Sequence, residues 1–469
     1  MKSDRNGSRE EDSTDGDNGD QRDTTRREFL AGAIVAGLSV GFAGGLGGAT
    51  STVRTTPLGS GGDPSRDSPD PSTGPVAASS NDTAEGDWDQ AAVERAVSQA
   101  GTSVLGANLN GRPHRLGDNF ELLDASETTW VRAFLDVRAK LADETPPEDD
   151  PDVVALRRAA RELNCKLIVS LKWDFKANWG DKEPASVPPS GSEAERNLCQ
   201  CAVRYLRSIG APVDVVVLGN EPMWETLDDD IKVDDPPVVR FTRTAKAHLV
   251  EDGDHGDPTY LVGAFNRAHH DGTRTREFPQ FYRGMFDFVR ADEDVDGIDL
   301  HVHYGSFAQA EKTVAVARRA LPEATITATE FSPVWRYKRH VGTPITEFEA
   351  GEQFASEYDL SGGTTAVDYF EYAKRNPRPP AELADFYDAM PWYNVDHLAE
   401  VHDLFSRYGV SVGTLGFLQS LDMRNADWTG DWPPFHINFL YQPALTRTDD
   451  GVQSTAHPQY LEDYRERTG

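Results

Sequence analysis

The sequence predicts an α/β fold, and within that class a (β/α)8 TIM barrel with a large insertion between strands seven and eight. From about Trp88 onward, short apolar runs alternate with longer amphipathic runs, which indicates strand–helix units and a parallel sheet. Eight such units over roughly 375 residues match the number that a closed barrel needs. The less favoured alternative is an open doubly wound sheet, because residues 106–117, GANLNGRPHRLG, do not form a Gly-rich phosphate loop.

Each predicted strand is a short, mostly apolar run, as expected for parallel strands that are buried on both faces. The eight runs are 102–109, 128–136, 165–173, 213–220, 259–266, 297–304, 324–331 and 411–419. Amphipathic segments that predict helices lie between most of them, at 152–163, 192–208, 237–251, 277–291, 306–320 and 394–408, with a last helix near 457–467.

The strand–helix rhythm is interrupted most strongly at residues 332–393, between the seventh and eighth strands. This segment is too long for a simple loop, and it contains twelve of the chain's aromatic residues. An insertion after a barrel strand lies over the face where barrels carry their sites. We expect most of these aromatic residues to form a small core within the insertion.

The first eighty-six residues do not follow the strand–helix pattern. Residues 25–48, TRREFLAGAIVAGLSVGFAGGLGG, place Arg26 and Arg27 before an apolar stretch and resemble a twin-arginine export signal. The alternative is an ordinary membrane anchor, which needs about 20 apolar residues. Residues 49–86 are rich in Ser, Thr, Pro, Gly and Asp and predict a disordered linker.

These boundaries predict a signal or possible anchor at 1–48, a linker at 49–86 and one folded domain at 87–469. We expect export by the twin-arginine route and an extracellular or cell-surface location. Membrane contact would then occur only through an uncleaved signal.

The chain is strongly acidic, with 47 Lys and Arg against 78 Asp and Glu and a net charge of −31. Such a surface repels nucleic acid, which is therefore not an expected partner. Only 11 of the basic residues are Lys. Because salt screens the self-repulsion of one-signed charge, this composition favours a halophilic protein with an acidic, hydrated surface.

The three cysteines, Cys165, Cys199 and Cys201, are too few for a disulfide scaffold and lack the spacing of a structural zinc site. We expect three buried thiols.

The predicted strands end in a dense set of polar and aromatic residues, at the edge of a barrel where catalytic side chains lie. They are Arg132, Trp173, Asn220, Glu221, Asn266, Arg267, His301, His303, Tyr304, Glu330 and Gln419. Buried polar groups without partners are unfavourable, so this ring needs a complete network or a function.

Two carboxylic acids, Glu221 after strand four and Glu330 at strand seven, are predicted to face each other across the barrel mouth. Retaining glycoside hydrolysis uses such a pair: one acid protonates the leaving oxygen and the other attacks the anomeric carbon, at a separation of about 5 to 5.5 Å. Arg132 beside Glu330 would keep that carboxylate ionised.

Four motifs in order resemble the clan A glycoside hydrolases, whose barrels place Asn-Glu after strand four and Glu at strand seven. The motifs are WVRAF (130–134), GNEP (219–222), HVHY (301–304) and TATEFS (327–332). The resemblance implies a retaining O-glycoside hydrolase for β-linked oligo- or polysaccharide that needs no cofactor.

It also implies roles for individual residues. Glu221 is the acid/base and Asn220 binds the sugar 2-hydroxyl. Glu330 is the nucleophile, and Arg132 holds it. His301, His303 or Tyr304 contacts the nucleophile or the sugar, with only one of the two histidines expected to face the barrel axis.

The strand-eight end departs from this family, because FLQSLD lacks the Trp that often forms the floor of the sugar site. Trp428 or Trp432 is a possible substitute from the following loop. Trp173, Trp224 and Gln419 are further candidates for substrate contacts. The insertion favours a pocket closed on one side, and hence exo action or short substrates.

Two other classes stay open. The first is a metal-dependent isomerase or hydrolase in which His301, His303, a Glu and Asp174 bind a divalent ion; it is disfavoured because the two histidines have no clear carboxylate partners at matching strand ends. The second is a sugar-binding surface protein without catalysis, suggested by the missing Trp.

Overall fold

The structure is a computed structural model that describes residues 90–111, 113–178, 182–252, 255–268, 277–419, 424, 435–448 and 455–469. Eight parallel strands form a closed barrel in chain order, and the eighth strand pairs with the first. The strands are β1 Val104–Asn108, β2 Trp130–Asp136, β3 Lys166–Lys172, β4 Val215–Val217, β5 Thr259–Asn266, β6 Gly297–His303, β7 Thr325–Ser332 and β8 Val410–Gly416. The predicted (β/α)8 barrel is confirmed, with every strand inside or within one residue of its predicted range.

Helices follow the strands and cover the outside of the barrel. The α-helices of the described residues are α1 Gln90–Ala100, α2 Glu121–Ala125, α3 Val137–Ala142, α4 Pro151–Glu162, α5 Glu193–Ile209, α6 Pro222–Glu225, α7 Asp228–Ile231, α8 Pro237–Asp252, α9 Pro279–Ala291, α10 Phe307–Ala320, α11 Val334–Lys338, α12 Glu349–Glu357, α13 Ala366–Arg375, α14 Pro380–Ala389, α15 His397–Tyr408 and α16 Leu461–Arg465. Short 3-10 turns occur at Pro113–Asn119, Pro147–Asp149, Ile345–Glu347 and Phe435–Asn438.

The strands are apolar on both faces because both faces are covered. A small cluster of Ile168, Val215, Val217, Leu261 and Val412 is fully buried. Its members come from strands on opposite sides of the ring, so this cluster fills the barrel interior below the mouth, the end at which the strands finish. A much larger cluster joins the outer strand faces to the helices.

The segment between β7 and β8 contains the five helices α11 to α15. Its aromatic residues pack mainly on one another, as expected: the rings of Tyr369 and Phe386 stack at 4.4 Å, and Phe354 packs edge-on against both. Burial of such rings is the main source of stability for a segment of this size.

A stack of nearly parallel rings joins this segment to the end of the chain. Tyr337 stacks on Tyr393 at 5.2 Å, Tyr393 on Tyr387 at 4.2 Å, and Tyr387 on His457 at 4.8 Å. His457 in turn stacks on Tyr460 at 4.0 Å. The C-terminal residues are therefore part of the core.

The same end of the chain also contacts the start of the barrel. The backbone amide of Leu105 in β1 donates to the carbonyl oxygen of Arg467 at 2.7 Å. The hydroxyl of Thr129, just before β2, donates to the carbonyl oxygen of Thr468.

Residues 1–89 lie outside the described residues, so the export signal and the linker stay predictions. Within the described part of the chain, no helix is both long and apolar enough to cross a membrane. Cys165, Cys199 and Cys201 are free and buried, as expected.

Candidate active site

Strand register assembles the polar residues at the barrel mouth. In the pairing of β5, β6 and β7, Asn266 lies opposite His301, and His301 lies opposite Glu330. On the other side of the ring, Asn108 of β1 pairs with Arg132 of β2. Side chains at these positions can contact one another because the parallel strands end at the same height, at the mouth of the barrel.

Glu221 is positioned by the sharp turn that follows β4. A Cβ atom on Gly219 would lie 2.3 Å from the carbonyl oxygen of Gly263, so only glycine allows β4 and β5 to approach this closely. Glu221 itself has φ 46° and ψ 56°, a left-handed conformation that is unfavourable for a non-glycine residue and common at functional sites. Its side chain is 7% exposed and accepts a hydrogen bond from Asn266 Nδ2 at 2.7 Å.

Arg132 connects four elements of the site and is completely buried. Its Nη1 donates to Glu330 Oε1 at 2.7 Å and to Asn108 Oδ1 at 3.1 Å. Its Nη2 donates to Asn220 Oδ1 at 2.7 Å, and its Nε donates to Ser170 Oγ at 3.1 Å. The predicted contact between Arg132 and Glu330 is therefore present, within a network that satisfies the buried guanidinium.

Glu330 lies among positive and potentially positive groups. Its side chain is 15% exposed, and its Oε2 atom is 3.7 Å from His301 Nδ1 and 3.5 Å from His303 Nε2. Burial alone would raise the pKa of Glu330, but the charges of His301 and Arg132 and the hydrogen bond with His303 hold that pKa well below its usual range. The carboxylate is thus kept ionised.

His301 lies between the two carboxylates. Its Nδ1 atom is 3.1 Å from Glu221 Oε1 and 3.7 Å from Glu330 Oε2, so these two oxygens are no farther apart than the sum of those distances. Burial lowers the pKa of His301, but the charge of Glu330 and the hydrogen bond with Glu221 raise it above its ordinary value. A proton on this imidazole would bridge the pair.

The expectation that only one of His301 and His303 faces the barrel axis is wrong. Residues two apart in a strand share a face, and both rings reach Glu330. His303 Nδ1 is also 3.0 Å from Ser332 Oγ, which fixes the ring from behind.

A second layer orients His301 from below. The Thr329 hydroxyl donates to Asp299 Oδ2 at 2.5 Å and lies 3.4 Å from His301 Nε2. Asp299 is fully buried and also accepts from the amide of Thr329 at 3.0 Å and from the hydroxyl of Thr327 at 2.7 Å. This series of contacts, from the Asp299 carboxylate through the Thr329 hydroxyl to the His301 imidazole, restricts the orientation of the ring.

Glu225, in α6, is a site residue that sequence reasoning missed. It accepts a hydrogen bond from Asn220 Nδ2 at 2.8 Å and forms an ion pair with Lys172 Nζ at 3.1 Å. Burial raises the pKa of Glu225 to about 7, against the lowering effect of Lys172. The signal in the sequence was its position one helical turn after Glu221.

Three predicted substrate contacts, Trp173, Tyr304 and Gln419, have side chains that are used in packing. Trp173 is 4% exposed, donates from Nε1 to the carbonyl oxygen of Leu218 at 3.0 Å and packs edge-on against Phe241 of α8. It therefore lies in the layer between barrel and helices.

Tyr304 is 2% exposed, and its hydroxyl lies 2.8 Å from Nδ1 of His397 in α15. Gln419 is fully buried and accepts from the backbone amide of Ala444 at 3.1 Å, so it anchors the C-terminal segment. Both side chains are thus held by other parts of the chain.

Aromatic rings near the mouth come from α6 and α11. Trp224 is half-buried, and its amide donates to the carbonyl oxygen of Glu221 at 2.7 Å. The ring of Trp335, also half-buried, has the guanidinium of Arg267 over it at 3.9 Å. Trp428 and Trp432, the proposed replacements for a strand-eight Trp, lie outside the described residues.

The structure also brings possible metal ligands together. One donor atom each from Glu221, His301 and His303 lies within 4.8 Å of the other two, and all three residues are buried. His301 and His303 therefore do have carboxylate partners, contrary to the expectation from the sequence.

No protein-family model matches the chain, and no curated protein matches it. Among solved structures, it is similar to native xylanase 10B from Thermotoga maritima, with 12% identity and a TM-score of 0.45 over 80% of this chain and 97% of the other. A psychrophilic family 10 endo-β-1,4-xylanase gives 12% and 0.41 over 77% and 99%. The catalytic domain of the GH26 endo-β-1,4-mannanase from Bacillus sp. JAMB-750 gives 13% and 0.42 over 80% and 88%. Similarities this distant do not assign a reaction, which has to be inferred from the side chains at the mouth.

Proposed function

We propose that this protein is a retaining O-glycoside hydrolase that acts on β-linked oligo- or polysaccharide. The observation that carries the proposal is the pair of carboxylates, Glu221 and Glu330, that contact the same Nδ1 atom of His301 while only Glu330 is also bound by Arg132. Two carboxylates in different surroundings are what acid/base and nucleophile require.

Glu330 is the nucleophile. Its ionised carboxylate attacks the anomeric carbon, and the bond from that carbon to the leaving oxygen breaks as Glu221 gives that oxygen a proton. Glu221 then removes a proton from water, the water oxygen attacks the anomeric carbon, and Glu330 leaves as a carboxylate. The lowered pKa of Glu330 supports its role both as attacking group and as leaving group.

Asn220 is placed to bind the sugar. Its Oδ1 accepts from Arg132 and its Nδ2 donates one hydrogen to Glu225. The second Nδ2 hydrogen is available to the 2-hydroxyl of the sugar beside Glu330. Trp224 and Trp335 supply aromatic surface for further sugar rings.

The protein's location belongs to the same proposal. Export by a twin-arginine signal and an acidic, halophilic surface would place the enzyme outside the cell, where polysaccharide is encountered. The carbohydrate is its expected partner.

The test is hydrolysis of a panel of aryl β-glycosides in multimolar salt by the full chain. We expect wild type to release the aryl group and Glu330→Ala to lose this activity by about 10⁴-fold or more, as removal of a catalytic nucleophile does in other hydrolases. Added azide should restore release from Glu330→Ala and give the glycosyl azide of inverted configuration.

A matched control is Glu195→Ala, which removes a buried glutamate paired with Arg240 outside the barrel. It should keep the activity if the chain folds. Folded wild type that binds oligosaccharide but releases product from no substrate would instead favour the sugar-binding protein.

A metal-dependent hydrolase or isomerase is the second candidate, favoured by the grouping of Glu221, His301 and His303. Activity that survives exhaustive chelation would exclude it, because its mechanism requires the ion.

A further inference from the structure

We propose that the barrel mouth binds a divalent transition-metal ion of the zinc type through Glu221, His301, His303 and Glu330, and that this ion inhibits the enzyme by displacing substrate. The inhibition rests on the proposed function, whereas binding of the ion does not.

The distances between the donor atoms fit such an ion. Zinc binds histidine nitrogen and carboxylate oxygen at about 2.0 to 2.2 Å in a tetrahedron, so neighbouring donor atoms lie about 3.3 to 3.6 Å apart. His301 Nδ1 is 3.1 Å from Glu221 Oε1 and 3.7 Å from Glu330 Oε2. His303 Nε2 is 3.5 Å from Glu330 Oε2, and the donor atoms of Glu221, His301 and His303 are all within 4.8 Å of one another. Glu330 lies outside this three-residue group, so its carboxylate has to shift toward Glu221 when the metal binds.

In both imidazoles, the ring nitrogen that faces away from the cluster contacts a hydroxyl group, as it does in many metal-binding histidines. His303 Nδ1 lies 3.0 Å from Ser332 Oγ, and with the proton on Nδ1 the Nε2 atom would offer its lone pair to the metal in place of its hydrogen bond to Glu330. His301 Nε2 lies 3.4 Å from Thr329 Oγ1, whose hydroxyl donates to buried Asp299. Hydrogen bonds of this kind fix the tautomer and orientation of metal-binding histidines.

The local charge also favours a cation. In the metal-binding state, in which the imidazoles are neutral and Glu221 has released its proton, Glu221 and Glu330 contribute two negative charges and Arg132 one positive charge, a net charge of −1. Arg132 contacts Oε1 of Glu330, whereas the histidines lie against Oε2. A metal ion bound at Oε2 would therefore leave the ion pair between Arg132 and Oε1 of Glu330 intact.

Zinc chemistry is favoured over magnesium chemistry by the donors. Two imidazole nitrogens and two carboxylate oxygens suit zinc, cobalt or copper, whereas magnesium requires an octahedron of oxygen ligands. Bound metal would occupy Oε2 of Glu330 and Oε1 of Glu221, the two carboxylates that the proposed reaction uses. Inhibition competitive with substrate follows.

The experiment is a titration of the full chain, first stripped with a chelator, with Co²⁺ in multimolar salt. Tetrahedral Co²⁺ absorbs visible light much more strongly than the hydrated ion, so the spectrum reports coordination without any substrate. We expect a saturable tetrahedral spectrum that Zn²⁺ abolishes and Mg²⁺ does not.

His303→Gln should weaken Co²⁺ binding by more than about tenfold, since even second-layer changes weaken metal sites by this much. The matched control is His114→Gln, which removes an accessible histidine that lies 2.6 Å from Asp152 and should leave the titration unchanged. In the same preparations, Zn²⁺ should raise the apparent KM for an aryl glycoside without lowering kcat.

The outcomes separate the two proposals. A Co²⁺ spectrum that depends on His303, in a protein that cleaves no glycoside, would overturn the proposed function and leave the metal site standing. An octahedral spectrum, or one that His303→Gln does not weaken, would overturn the metal site. Loss of activity on chelation with recovery on zinc would overturn the inhibitory role.

Discussion

Nη1 of Arg132 donates to Oε1 of Glu330 at 2.7 Å, and the guanidinium that makes this contact has no exposed surface. A buried cation of this kind acts at once on the charge of its partner and on the stability of the fold. The two effects can be measured separately.

Arg132→Met should lower the free energy of unfolding by about 3 to 5 kcal/mol, the range for breaking a buried ion pair. Because the charge of Arg132 lowers the pKa of Glu330, the acid limb of the profile of kcat/KM against pH should also move to higher pH. Denaturant unfolding and the pH–rate profile test the two effects.

The control for this prediction is Arg318→Met. Arg318 is equally buried but donates to backbone carbonyl oxygens of Tyr408 and Gly409. Arg318→Met should lower the free energy of unfolding without moving the acid limb of the profile of kcat/KM against pH. An acid limb that stays in place in Arg132→Met would contradict the assigned role.

Glu330 should make stability depend on pH at the acid end. Its folded pKa lies below the ordinary value of 4.5, so its contribution is present above 4.5 and is lost as the pH falls through the folded pKa. In Glu330→Gln, the free energy of unfolding should therefore fall less steeply below pH 4.5 than it does in wild type. Unfolding curves at a series of pH values test this, with the exposed Glu121→Gln as a control that leaves the slope unchanged.

Glu225 should have the opposite effect on the pH dependence of stability. Its folded pKa is raised to about 7 from 4.5, so the folded state holds the proton more tightly and stability declines as the pH rises from 4.5 to about 7. Glu225→Gln keeps the acceptor for Asn220 and should remove this decline. A decline of the same size in the variant would show that another group is responsible.

Thr329→Val should impair catalysis through His301 rather than through substrate contact. The change removes the hydroxyl between Asp299 and the ring and leaves a buried carboxylate oxygen short of a donor, which should lower the unfolding free energy by about 1 to 3 kcal/mol. We expect a lower kcat with little change in KM, measured on an aryl glycoside. Thr329→Ser keeps the hydroxyl and should retain most of the kcat.

The net charge of −31 predicts that stability rises with salt. Thermal unfolding in potassium chloride from about 0.1 M to 3 M should show a steadily increasing Tm, most steeply in the lower part of that range, where the Debye length shortens from about 10 Å toward 3 Å. Full retention of structure and Tm after dialysis into low-salt buffer would count against a halophilic protein.

The sequence was sufficient for the barrel because the strand signal is local. Runs such as VDVVVLGN carry both the apolar burial of β4 and the turn that presents Asn220 and Glu221. The contact between Arg132 and Glu330 followed from chemistry, since a carboxylate that must stay ionised needs a cation beside it.

Position at a strand end does not predict whether a side chain points into the barrel mouth or outward to the surrounding helices. Trp173 and Tyr304 point away from the mouth, where contacts with Phe241 and His397 depend on helices far along the chain. The roles of Asn266 and Glu225 likewise depend on how neighbouring loops meet, which a single run of residues does not encode.

The ring stack from Tyr337 to Tyr460 has a consequence for truncation of the protein. β1 pairs with β8, and the amide of Leu105 bonds to Arg467, two residues before the chain ends. The segment from His457 to Arg467 therefore contacts both the insertion and the first strand. A variant that stops at residue 454 would lose His457 and Tyr460 from the stack and the partner of the Leu105 amide, and it should be less stable even though it keeps all eight strands and every residue of the mouth.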